Sequence, residues 1–190
     1  MKDMNILIVG VGGQGTLLAS VILGKLALEG GYDVKLSEVH GMAQRGGSVV
    51  THVRISEDAV GSPLIEKGEA DVIVAFELLE AYRWADYLKK GGRMFINDQE
   101  INPMPVIMGA AEYPKDARPV FQSKDGVKLM DALSIAEGCG SDKAVNTVLL
   151  GALSNELPFT EEMWIGQIEN TVKPKFVELN KKAFALGRRA

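Results

Sequence analysis

Residues 5–16 read Asn5-Ile6-Leu7-Ile8-Val9-Gly10-Val11-Gly12-Gly13-Gln14-Gly15-Thr16, large apolar side chains that give way to glycines. The unalternating run Asn5–Val9 predicts a central parallel strand, buried on both faces. Gly10–Gly15 satisfies G-x-G-x-x-G directly after that strand. Thr16–Glu29 follows with helical spacing and places Leu17, Val21, Gly24 and Leu28 on one face. Gly30 and Gly31 stop the helix, and Val34–Val39 reads as a second strand that completes a βαβ unit.

Working outward, Glu38–Ser48 (EVHGMAQRGGS) has no periodicity and reads as a loop, and the alternation in Val49–Ile55 predicts a strand. A turn at Gly61–Pro63 leads to a buried strand, Asp71–Ala75, then a helix over Glu77–Lys90 closed by Gly91–Gly92. Arg93–Asn97 and Val127–Ala132 read as further strands. Between them Pro103 and Pro105 allow a short edge strand at Val106–Met108. The C-terminal third predicts helices over Ala144–Leu153, over Thr160–Glu169 with Thr160 as N-cap, and over Lys173–Gly187 with Pro174 in its first turn. Strands alternating with helices imply an α/β fold: a three-layer, Rossmann-like sandwich with a mostly parallel sheet and C-terminal helices, in a single domain over residues 1–190.

Composition narrows the function. The formal charge of −4 argues against a nucleic-acid binder that relies on a basic face. The start of the chain shows no apolar run long enough for a signal peptide or a membrane span, which leads us to expect a cytoplasmic protein. Cys139 is the single cysteine, so this chain cannot by itself ligate a four-iron cluster or build a four-cysteine zinc site. Ten of the 21 glycines fall between Gly10 and Gly47, seven of them in two clusters, Gly10–Gly15 and Gly41–Gly47.

Each cluster has a ligand reading and a packing reading. In the first, Gly10, Gly12, Gly13 and Gly15 allow a tight turn, close approach of a pyrophosphate to the backbone and close helix–strand packing, and the helix N-terminus offers N–H groups to an anion. The same glycines can serve packing alone. Gln14 at the mouth contacts a ligand or caps the turn. Glu38, at the end of the second strand, is placed to accept from a ribose hydroxyl. In the second cluster, Arg45 with Gly46 and Gly47 can grip a phosphate or carboxylate, or Arg45 can pair with Glu38 or with a neighbouring subunit. His40 and His52 lie in different elements without cysteines nearby, which gives no metal pattern, and Cys139 reads as an inert thiol.

GVGGQG followed by TLLAS, SEVHGMAQRGGSVVTHVRI, ADVIVAFELLEA, KAVNTVLLGAL and PKFVELNKKAFALG together resemble the gamma subunit or domain of the 2-oxoacid:ferredoxin oxidoreductases. Within that family the long EVHGMAQRGGS segment is similar to the small subunits of the indolepyruvate type. The resemblance implies oxidative decarboxylation of an aryl-substituted 2-oxoacid to an acyl-CoA, with electrons passing to ferredoxin. It also implies thiamine diphosphate with magnesium and 4Fe-4S clusters. One cysteine, and no G-D-G followed by paired asparagines, place those groups in a larger partner subunit. The glycine turn and Arg45 are then expected to form an anion cradle, with the phosphates of coenzyme A as candidate ligand. Two other readings stay open: a free-standing NAD-binding oxidoreductase, and a non-catalytic dinucleotide sensor.

Overall fold

The computed structural model describes residues 3–41 and 46–190. β1 (Asp3–Val11) turns Ile6 and Ile8 to one face of the sheet and Leu7 and Val9 to the other, all four fully buried. It is followed by α1 (Thr16–Glu29), β2 (Asp33–His40), β3 (Ser48–Ser56), β4 (Ala70–Ala75), α2 (Leu78–Trp84) and β5 (Leu88–Asn97). The short α3 (Met104–Ile107) and α4 (Ala117–Gln122) precede β6 (Val127–Met130) and α5 (Ala132–Gly138). The chain closes with α6 (Val145–Leu153), α7 (Glu161–Thr171) and α8 (Val177–Arg189).

The strand order is β2-β3-β1-β4-β5-β6. β1, β4, β5 and β6 pair in parallel, and β3 runs antiparallel to both β1 and β2. The expected mostly parallel sheet is therefore present, with one reversed strand inside it. α1 and α5–α8 cover the Ile6/Ile8 face, and α2 and α4 cover the other, giving three layers. Among the described residues, no helix is long and apolar enough to cross a membrane.

α6 and α8 cross in close contact because each has a glycine at the crossing. A methyl group on Gly187 would strike the Val148 carbonyl oxygen and stand 2.7 Å from its carbon. One on Gly151 would strike the Phe184 carbonyl. Beside this crossing the buried Thr147 hydroxyl donates to Asn180 Oδ1 at 2.6 Å. Trp164 packs against Phe184, ring centroids 5.5 Å apart.

Several sequence expectations need correcting. The βαβ unit is split: β3 lies between β1 and β2, so the two are parallel but not adjacent. α1 has the expected ends but buries Ala19, Ile22, Leu23, Leu26 and Ala27 with Gly24, while Leu17 and Leu28 are 59% and 64% exposed. This helix is apolar on most sides, so spacing alone does not choose its face. On the expected face only Gly24 is buried, where a methyl would come 3.1 Å from Leu36 Cδ1 of β2.

The helix expected over Glu77–Lys90 ends at Trp84, and Gly91 and Gly92 lie within β5 instead of stopping a helix. At Gly92 a methyl would stand 2.9 Å from the Asp71 carbonyl oxygen, beside a shift of register between Ala70 and Val72, so the glycine there serves close strand contact. Val106–Met108 is not an edge strand. Pro105 sits in the first turn of α3, where its missing N–H costs nothing. The strand expected over Val127–Ala132 stops at Met130 because Asp131 caps α5, its Oδ1 accepting from the Ser134 N–H at 2.9 Å. Cys139 accordingly follows the C-terminal end of α5.

Candidate functional site

The two glycine clusters meet at the C-terminal ends of the parallel strands. The Gly12 N–H donates to the Gly47 carbonyl at 2.9 Å, and the Gly46 N–H donates to the Gly12 carbonyl at 3.5 Å. These bonds continue the β1–β3 ladder one step beyond its Val11–Ser48 pair. Arg45 lies outside the described residues.

Within the turn, Gln14 acts as a cap. Its Oε1 accepts from the Val11 N–H at 2.8 Å and its Nε2 donates to the Phe76 carbonyl at 3.0 Å. A methyl on Gly10 would stand 2.8 Å from that Oε1 and 3.0 Å from Phe76 Cβ, so Gly10 makes room for the cap. The Phe76 carbonyl also accepts from Asn97 Nδ2 at 3.2 Å, and Asn97 Oδ1 accepts from the Ala132 N–H at 3.1 Å. Through these fully buried groups the turn, the ends of β4 and β5 and the start of α5 are tied together.

Gly13 and Gly15 differ from Gly10. Both have positive φ, 101° and 84°, a region that favours glycine. A methyl on Gly15 would stand 2.7 Å from Asn146 Nδ2, whereas one on Gly13 would meet nothing within 4 Å. Gly15 caps α1 without a side-chain hydrogen bond, so among the described residues the first N–H groups of the helix carry no side-chain partner. They open on a cavity of about 400 Å³ whose walls include Gly13, Gly15, Gln99, Ile101, Lys143 and Asn146. Lys143 belongs to a helical turn, Asp142–Ala144, that leads into α6, so a cation and an uncapped helix start face one space, which Asp142 also lines. Such an arrangement suits a phosphate or carboxylate.

Glu38 is not part of this cavity. β3 separates its strand from β1, and its carboxylate is engaged by the Thr51 hydroxyl at 2.8 Å and by His40 Nε2 at 2.7 Å. The ribose contact of a dinucleotide fold, which needs β2 beside β1, is not assembled here. His52 is buried, its Nδ1 accepts from the Ile65 N–H at 3.1 Å, and burial lowers its pKa below the ordinary 6.5. Among the described residues, no group of three or more histidine, cysteine or carboxylate side chains could hold a metal.

Sequence reasoning missed Gln99, Ile101, Lys143 and Asn146. They come from separate segments and share no local pattern, and only the strand order brings them to the glycine turn.

Behind the cavity, two carboxylates are nearly fully buried. Glu77 follows β4, and its Oε1 accepts from the Tyr113 hydroxyl at 2.5 Å and the Ile101 N–H at 3.0 Å, while Oε2 accepts from the Glu80 N–H at 2.9 Å. Burial pushes the Glu77 carboxyl pKa up, against the pull of these three donors. Burial and the Glu77 carboxylate likewise push the Tyr113 hydroxyl well above its ordinary range. Glu80 takes Arg83 and the Ser48 hydroxyl, each at 2.6 Å, and so joins α2 to the start of β3.

A family model described as pyruvate ferredoxin/flavodoxin oxidoreductase matches residues 5–190. The indolepyruvate oxidoreductase subunit IorB of Thermococcus kodakarensis is 45% identical, and the alignment covers 100% of this chain and 96% of that protein. The 2-oxoglutarate synthase subunit KorC of Methanothermobacter marburgensis is 27% identical, with 95% and 92% covered. In fold, the chain is similar to the gamma subunit of a keto/oxoacid ferredoxin oxidoreductase from Geobacter sulfurreducens, with TM-score 0.72, 24% identity and 98% and 96% covered. It is also similar to part of a 2-oxoglutarate:ferredoxin oxidoreductase from Magnetococcus marinus, with TM-score 0.76 and 20% identity over 100% of this chain and 31% of that one. By its sequence over residues 5–190 and by its full-length relatives, this chain belongs to the pyruvate ferredoxin/flavodoxin oxidoreductase family.

Proposed function

We propose that this chain is the small, cluster-free subunit of a cytoplasmic indolepyruvate-type 2-oxoacid:ferredoxin oxidoreductase. The assembly converts an aryl-substituted 2-oxoacid and coenzyme A to an acyl-CoA and carbon dioxide, and two electrons pass to ferredoxin. Residues 1–190 are a single gamma-type domain of that assembly. The observation that carries this reading is the end-to-end match to a named indolepyruvate oxidoreductase subunit, 96% of whose length is covered. With Cys139 alone, the 4Fe-4S clusters belong to a large partner subunit, as do thiamine diphosphate and its magnesium, which supply the chemistry at the keto carbon.

In this reading the cavity beside Gly13 takes phosphates of coenzyme A. The open space over Gly13, the uncapped start of α1 and Lys143 support it, and Arg45 is the second cation. Gly10 and Gly12 shape the turn, because their space and backbone groups are taken, and Gln14 lines the cavity while its amide is committed to Val11 and Phe76. Gly46 and Gly47, which follow Arg45 in sequence, are themselves bonded to Gly12. The NAD-binding and dinucleotide-sensor readings lose support, because Glu38 is engaged two strands away from the turn.

Two measurements test the proposal. Co-expressed with a thiamine-diphosphate-dependent large subunit, the chain should support 2-oxoacid-dependent viologen reduction that neither subunit shows alone. Activity from the isolated chain would overturn the subunit reading. Calorimetric titration of the assembled enzyme with coenzyme A should show roughly tenfold weaker binding for Lys143→Ala and for Arg45→Ala. Unchanged affinity in both would remove the cavity from that role.

A further inference from the structure

From Pro103 to Ala111 the chain reads PMPVIMGAA, nine residues without a charged or hydrogen-bonding side chain. The segment is nonetheless on the surface: Met104, Ile107 and Met108 are 56%, 64% and 68% exposed. It is also well formed. The Ile107 N–H donates to the Pro103 carbonyl at 3.1 Å, and the Ala110 and Ala111 N–H groups share the Pro105 carbonyl at 2.8 and 3.1 Å. Both ends are pinned by one buried oxygen, Glu77 Oε1, which accepts from the Ile101 N–H before the segment and the Tyr113 hydroxyl after it.

We infer that this rigid apolar knuckle is the seat on which the large, thiamine-diphosphate-dependent subunit docks. The inference rests on the reading under Proposed function, which supplies the partner. Three observations favour that occupant. The knuckle leaves from Ile101, a wall of the cavity, so a partner seated on it also covers the mouth where its chemistry is needed. The charges around it are already paired, Arg118 with Asp98 at 2.8 Å and with Glu100 at 3.2 Å, and Lys115 with Glu112 at 3.4 Å, leaving an apolar centre inside a polar rim. Its exposed apolar area is on the order of a few hundred Å², enough to mark an interaction site but well short of the roughly 800 Å² per partner of a free-standing dimer. The knuckle is therefore the centre of a larger interface, one that takes in the neighbouring cavity mouth.

The test uses the full chain and the large subunit. Ile107→Glu with Met108→Glu should weaken the complex at least about tenfold, while Leu28→Glu, an equally exposed position on α1, should leave it unchanged. Circular dichroism checks that each variant is folded. In peroxide footprinting, Met104 and Met108 should react in the free chain and be protected in the complex, with fully buried Met94 as the unreactive reference. Unchanged affinity of the double variant, or Met104 and Met108 still reactive in the complex, overturns the docking seat. Failure of the wild-type chain to bind the large subunit overturns the subunit reading and the seat with it. If the chain alone sediments as a dimer that the double variant splits, a second copy is the occupant and the inference is wrong.

Discussion

Replacing Gly187 with alanine sets two effects of opposite sign against each other. An alanine in a helix is worth up to about 1 kcal/mol over glycine when its methyl has room. At Gly187 it has none, because the new carbon would stand 2.7 Å from the Val148 carbonyl carbon and strike its oxygen, all fixed backbone. Restoring ordinary contact at 3.4–4 Å with that oxygen requires α8 to retreat from α6 by about 1.5 Å, a gap that forfeits at least a quarter to a half of the dispersion attraction in the contacts it opens. Those contacts include fully buried Phe184 and its packing on Trp164, and the Thr147–Asn180 bond stretches with them. Overpacking of this kind costs about 1–3 kcal/mol and the strained bond about 1 more, so the net expectation after a helix gain of about 1 kcal/mol is a loss of about 1–3 kcal/mol. For a chain of this size that lowers Tm by roughly 2–12 °C. Gly166→Ala, in α7 with nothing within 4 Å of the added methyl, should instead raise stability by up to about 1 kcal/mol. Thermal and urea unfolding of both variants, followed by circular dichroism, decides the matter. A Gly187→Ala protein as stable as the parent would refute the account of the helix crossing.

Three further outcomes follow from the site. Gln14→Ala leaves the Val11 N–H without its acceptor and should cost about 1–3 kcal/mol in urea unfolding, with no compensating gain in coenzyme A affinity. Tyr113→Phe removes a donor from ionised Glu77. Because the raised Glu77 pKa already makes its contribution greatest below the unfolded value of 4.5 and lost as pH rises through the folded one, the variant should be hurt more at pH 8 than at pH 5 in parallel melts. His52 works in the opposite direction: its lowered folded pKa means that stability present above pH 6.5 is lost as pH falls. His52→Asn, which keeps an acceptor for the Ile65 N–H, should flatten the fall in Tm between pH 7 and pH 5.

β1, the glycine turn, the ends of α1 and the Thr160 cap are readable locally, because each is fixed by neighbours within a few residues. Thr160 does accept from the Met163 N–H, as its place before an acidic helix start suggests. What sequence does not reveal is set by distant parts of the chain. Leu17 and Leu28 look like core at helical spacing, yet the sheet and α7 claim the opposite side of α1. Gly91–Gly92 look like a helix stop, but their role comes from β4, about twenty residues earlier. The site divides in the same way. Its glycines are visible as a motif, whereas Lys143 and Asn146 become part of it only because α6 starts beside Gly15 and the start of α1, more than a hundred residues away in sequence.

The reversed strand in the middle of the sheet also has a kinetic meaning. β1 and β2 cannot close on each other as an ordinary βαβ unit does, since a strand-wide gap separates them until β3 arrives. β3 follows β2 by a short connection and pairs with it over eight residue pairs, from Asp33–Ser56 to His40–Val49, so the hairpin can form first and insert against β1 afterwards. The last rung of that insertion is Gly12 to Gly47. The turn that borders the cavity is thus finished when the sheet closes, and pulse-labelled hydrogen exchange during refolding should find the Gly12 amide protected later than those of β2.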